Sequence, residues 1–189
     1  DMREMGALRD GAEARNFIEL VHGCCRAVRH CPVPVIARIE GYALGAGLEL
    51  AAACDLRIAA SDARFGMPEV RVGIPSVVEA ALLPMLIGWG RTRRLLLLGE
   101  IIGASEALEW GLVERVAPAS GLDGAVEEWL GHLDAAARRR RANRGGPPAH
   151  GVSCCGGIPV RWRSGERCGF IWRDRRCSWP TAAPRSGPR

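Results

Sequence analysis

The stretch that decides the fold is EGYALGAGLELAAACDLRIAASDARFGMPE, Glu40 to Glu69. An apolar run, Val33-Pro34-Val35-Ile36-Ala37-Arg38-Ile39, leads into it and reads as a buried strand that stops at Gly41. Gly45-Ala46-Gly47 follows, and its small residues let a ligand approach the backbone closely. Leu48 to Cys54 is then a run of good helix formers. The order is strand, tight glycine loop and the positive end of a helix. A second strand, Leu56 to Ala59, comes after Asp55, and the chain then reaches Phe65-Gly66-Met67-Pro68-Glu69. Glu49 and Glu69 thus lie in otherwise apolar surroundings. Free N–H groups at a helix start favour developing negative charge, so the pattern suits a reaction through an oxyanion, with two carboxyl groups to move protons.

Upstream, Ala14, Phe17, Ile18, Val21, Cys25 and Val28 recur at three- and four-residue intervals, which predicts an amphipathic helix from Asp10 to about His30. Pro32 and Pro34 end it. Downstream, Ser76 is a candidate cap for a helix near 77–87, which Gly88-Trp89-Gly90 breaks. Thr92 is a candidate cap for a helix through Leu98. Ile101 to Gly103 reads as extended, with a short helix after it closed by Gly111. Leu112 to Val116 reads as a short strand, and Asp123 as the cap of a last helix to about Ala137. Strands alternating with helices predict an α/β layer fold.

Charge divides the chain. Its formal net charge is +5, yet residues 1–137 hold 13 Arg against 19 acidic residues, and residues 138–189 hold 13 Arg against Glu166 and Asp174 alone. No Lys occurs anywhere. The two domains expected are therefore a core, 1–137, and an Arg/Pro/Gly/Cys-rich tail, 138–189, in which no hydrophobic period predicts a packed core. Wrong-frame translation of a G+C-rich gene gives such a composition, and the tail is expected to be a disordered, frameshifted end. Its arginines, interleaved with Trp162, Phe170, Trp172 and Trp179, raise the question of nucleic-acid binding, but nonspecific adhesion to polyanions is the better reading and specific nucleic-acid binding is not expected. The eight cysteines show no C-x-x-C pair or zinc spacing, so free thiols in a reducing compartment, and no metal site, are the expectation. With no signal peptide and no apolar run long enough for a bilayer, the protein is expected to be cytoplasmic.

Asp1-Met2-Arg3-Glu4-Met5, Pro34-Val35-Ile36-Ala37, Gly41 through Ala51, Cys54-Asp55, Phe65 through Glu69 and Ala107 through Val113 together resemble the crotonase family of acyl-CoA enzymes, most closely its enoyl-CoA hydratases. The likeness runs in order from Asp1 to about Ala137. It implies a spiral of ββα units, here incomplete, that usually assembles as a homotrimer or hexamer. It also implies an acyl-CoA substrate whose thioester carbonyl sits in an oxyanion hole, coenzyme A being part of the substrate and no separate cofactor being needed. One donor of that hole maps onto the Ala46 N–H and the two hydratase glutamates onto Glu49 and Glu69, while Gly45, Ala46, Gly47, Met67 and Pro68 line the substrate site. The second donor maps before Asp1, so the chain by itself is expected to catalyse weakly.

Keeping both glutamates favours a hydratase; an enoyl-CoA isomerase, which shuttles one proton, and a catalytically impaired acyl-CoA-binding fragment are the alternatives. Gly73-Ile74-Pro75-Ser76 departs from the family's usual Gly-Leu-x-Pro-Gly loop, with Ser in place of Gly. Glu79 is read as a surface position, and none of the four histidines as part of a site.

Overall fold

The computed structural model describes residues 10–74, 76, 78–143, 161–164 and 166–170. Helix α1, Gly11–Arg29, begins where the Asp10 carboxylate accepts the N–H groups of Ala12 and Glu13 at 2.8 and 2.9 Å, satisfying donors that the first turn leaves without partners. Cys25 is its one fully buried side chain, with Phe17, Val21 and Val28 partly covered, while Ile18 is exposed.

Strand β1, Ile36–Ile39, pairs in parallel with β3, Leu56–Ala60, which pairs in parallel with β6, Arg115–Ala117. Successive side chains on a strand face opposite ways, and here both faces are covered. Ala37, Ile39 and Ala59 join a core with Cys25 of α1 and with helix α2, Ala46–Ala53. Ile36, Ile58 and Ala60 meet Leu122, Ala125 and Val126 of helix α5, Leu122–Asn143. A second sheet carries β2, Tyr42–Leu44, parallel to β4, Arg64–Gly66, with β5, Ile101–Gly103, antiparallel on the far edge. Gly66 must be glycine at that edge, because a Cβ there would lie 2.6 Å from the Glu100 carbonyl oxygen.

Helices α3, Leu83–Leu98, and α4, Ala104–Trp110, each end at a glycine in the left-handed region, Gly99 and Gly111. Here the structure corrects several expectations. The helix expected near 77–87 is a short 3-10 turn, Ala80–Leu82, running into α3, while the break expected at Gly88 is borne out: Gly88 takes φ 75° and ψ 164°, and α3 kinks there. Thr92 is no cap: its hydroxyl donates to the Gly88 carbonyl oxygen at 2.9 Å, four residues back along the helix. Asp123 lies in the first turn of α5 and accepts from Arg38 Nε at 2.6 Å.

Helix α5 continues to Asn143, six residues beyond the boundary drawn at Ala137. Two further strands, β7, Arg161–Ser164, and β8, Glu166–Phe170, form an antiparallel hairpin whose β8 pairs with β1, so these positions differ from the unstructured tail expected. The rest of that expectation falls on positions 144–160, 165 and 171–189, outside the described residues.

Candidate active site

The register of the second sheet brings the two carboxylates together. Leu44 lies opposite Gly66, and the Gly45 N–H donates to the Gly66 carbonyl at 2.9 Å, so β2 and β4 end side by side. From one end springs α2, carrying Glu49 in its first turn. From the other, Met67 leads into a 3-10 turn, Pro68–Val72, carrying Glu69. Gly45 takes φ +53°, and a Cβ built on it would collide with the Glu69 carboxylate. Only glycine lets that carboxyl group rest against the backbone at the helix start. Ala46 is the first residue of α2, and its N–H has no acceptor within the helix. Gly47 follows, half-buried, while Met67 is fully buried in the main core and Pro68 is half-buried at the head of the 3-10 turn.

Glu49 is 2% exposed. Burial pushes its carboxyl above the ordinary carboxylate range, and the negative charges of Glu69 and Glu79 push the same way, against hydrogen bonds from the backbone N–H groups of Glu79 and Ala80. Glu69 is likewise raised by burial, opposed by its own N–H and by the Ser76 hydroxyl. Ser76 thus serves Glu69 rather than capping a helix. Glu49 Oε1 and Glu69 Oε2 are both buried without a hydrogen-bond partner. Each such acceptor costs about 1–3 kcal/mol, so the site holds unmet capacity to accept hydrogen bonds from a small polar molecule. Two raised carboxyl groups side by side are equipped to share a proton, one as acid and one as base.

Glu79, expected at the surface, is 6% exposed. His22 Nδ1 lies 3.1 Å from its Oε1, and Arg29 Nη1 donates to its Oε2 at 3.4 Å, both from α1. The burial comes from a helix whose partners lie fifty and more positions earlier, a signal no local pattern carries. Cys25, on the same helix, has its thiol pushed up to about 12, first by burial and then by the charges of Glu49 and Glu79. Elsewhere Arg57, also buried, pairs with Glu114 and donates to the Cys54 carbonyl at 2.7 Å. Among the described residues no group of three or more His, Cys, Asp or Glu is arranged to hold a metal ion, and no helix is long and apolar enough to cross a membrane.

The fold and site define an α/β protein of crotonase type with two carboxylates at the ends of neighbouring parallel strands. The family model for enoyl-CoA hydratase/isomerase matches residues 1–142, and the chain belongs to that family. It is 43% identical over 122 residues to a crotonyl-CoA hydratase of Syntrophomonas wolfei, covering 64% of this chain and 47% of that one. It is 40% identical over 129 residues to a short-chain-enoyl-CoA hydratase of Clostridium acetobutylicum, covering 68% and 48%. The crystal structure of an enoyl-CoA hydratase from Bacillus anthracis superposes with a TM-score of 0.69 at 37% identity, covering 71% of this chain and 52% of that one. The chain therefore spans about half the length of these relatives.

Proposed function

We propose that this chain hydrates 2-trans-enoyl-CoA to 3-hydroxyacyl-CoA, with Glu49 and Glu69 as the acid–base pair and the Ala46 N–H as a donor to the thioester oxygen. The observation that carries the reading is the convergence of two carboxylates, Glu49 buried and Glu69 half-buried, each with a buried acceptor oxygen lacking a partner, beside a helix start. With one proton shared by the pair, the charged carboxylate takes a proton from water as its oxygen bonds to C3. The electron pair of the C2=C3 bond moves through the thioester to its oxygen, where N–H donors favour the negative charge. The protonated carboxyl then gives its proton to C2. The pair ends with one proton, now on the other glutamate. No group beyond the substrate and these residues enters the balance.

An isomerase moves one proton between carbons and needs one carboxylate. Two converging ones, and relatives named as hydratases, favour water addition. The expected homotrimer or hexamer belongs to the same proposal, supported by apolar side chains exposed along α3, among them Met85, Trp89, Leu97 and Leu98. So does a cytoplasmic location, supported by the free thiols of Cys24, Cys25, Cys31 and Cys54.

The test follows loss of the conjugated-thioester absorbance of crotonyl-CoA. Glu49→Gln and Glu69→Gln should each lower kcat on the order of 10²–10⁴-fold, the usual worth of a positioned acid or base. A variant of either that hydrates at the parental rate defeats the assignment.

A further inference from the structure

The role proposed for Glu49 leaves open what holds its carboxylate in place within a pocket that tends to neutralise it. We propose that Glu79, clasped between His22 and Arg29 of α1, is a positioning residue that sets Glu49 for proton transfer; this rests on the hydratase reading. The geometry runs through two layers. Backbone N–H groups of Glu79 and Ala80 hydrogen-bond to the Glu49 carboxylate. The Glu79 side chain in turn reaches α1, where His22 Nδ1 lies 3.1 Å from one oxygen and Arg29 Nη1 3.4 Å from the other.

A buried carboxylate needs such partners, or it neutralises or moves. Glu79 stands just ahead of the 3-10 turn Ala80–Leu82, so its side chain ties to α1 the backbone that donates to Glu49. Helix α1 therefore acts on the acid–base pair through Glu79. The same carboxylate supplies a negative charge near Glu49. The groups facing this cluster are Cys25, His22 and Arg29 from α1, Glu69 from the 3-10 turn after β4, and Glu79 itself.

Charge and position separate in the test. Glu79→Gln keeps the shape and removes the charge, and Arg29→Gln removes a cation from the exposed end of the clasp and leaves the Glu79 charge in place. Both variants and the parent would carry ¹³C-labelled glutamate carboxyls, and the Glu49 signal, assigned by its loss in Glu49→Gln, would be titrated by NMR. We expect the Glu49 titration to move to lower pH in Glu79→Gln, where a repelling charge is gone, and to higher pH in Arg29→Gln, where that charge stands less neutralised. We also expect kcat for crotonyl-CoA to fall about tenfold in each variant with KM little changed, as for losing alignment of a hydrogen-bonded charged group.

A purely structural Glu79 would leave the Glu49 titration in place in both folded variants, or move it the same way in both, and either result overturns the proposal. Should Glu79→Gln not fold, Arg29→Gln, changed at an exposed side chain, keeps the upward shift as the deciding readout. The titration needs no turnover. If the parent fails to hydrate crotonyl-CoA, the hydratase reading falls while the clasp is still decided by the Glu49 signal.

Discussion

Two polar pairs in this protein, each with one buried member, are built on opposite plans. Arg57 and Glu114 join β3 to the segment entering β6: the guanidinium meets the carboxylate, Arg57 also donates to the Cys54 carbonyl, and the Arg57 backbone N–H donates to Glu114 at 2.6 Å. Opposite charges meet there and carbonyls lie beside them, with Arg57 Nε alone left without a partner. Glu49 and Glu69 are like charges with no cation between them among the described residues, and each keeps a buried oxygen without a partner. Neutralised polar groups hold a fold together, whereas unneutralised ones store protons and bind what comes. The difference marks which pair is structural and which chemical, although each has one fully buried member, Arg57 in the first and Glu49 in the second.

The comparison breaks most visibly in stability. Removing the carboxylate in Glu114→Ala takes the charged partner from buried Arg57, and the variant should lose about 2 kcal/mol in denaturant unfolding, less than for a fully buried pair because the Glu114 side chain is 33% exposed and the Cys54 carbonyl remains. Glu49→Gln should instead unfold at the same or higher denaturant concentration while losing hydration. Equal destabilisation by the two substitutions would erase the distinction.

Acid sharpens it. The folded-state carboxyl of Glu49 is raised above its unfolded value, so its contribution to stability is fully present below the ordinary carboxylate value and is lost as pH rises through the raised folded value. The stability of the parent relative to Glu49→Gln should therefore increase as pH falls through that window. A difference that stays flat with pH would show that Glu49 is not raised.

The smallest effect is at Ser76. Its hydroxyl favours the charged form of Glu69, so Ser76→Ala should move the Glu69 titration to higher pH and lower kcat roughly threefold, the scale of one net hydrogen bond. An unchanged profile would leave Ser76 outside the site.

The sequence made some of this plain and hid the rest for a physical reason. Glu49 and Glu69 stand in a compact block where glycines, helix formers and strand residues follow one another, so local chemistry announces them. The two three-residue strands β2 and β4 went unseparated, because so few residues give no period to read; their pairing becomes visible only when Ala43 and Phe65 are found opposite each other. Glu79 and His22 escaped because neither has a local signature: one is buried only because a distant helix covers it, and the other matters only because it reaches that residue. Ser76 suggests a helix cap because a hydroxyl before an apolar run usually is one, but the 3-10 turn that follows starts later, at Ala80. The basic composition beyond 137 spoke against helix and strand alike, yet α5 carries on through the first of its arginines, which are good helix formers.

The three-rung ladder between β2 and β4 also fixes which length changes the chain tolerates. Glu49 and Glu69 are far apart along the chain, but their separation in space is set by Tyr42, Ala43 and Leu44 against Arg64, Phe65 and Gly66, and by the two short exits beyond. Residues added or removed in the exposed turn at Ser61 and Asp62 alter only the path between paired strands. A single residue gained or lost between Gly66 and Glu69 turns the second carboxylate away from Gly45. Insertions and deletions among relatives that keep this chemistry should therefore gather in the turn and avoid the exits.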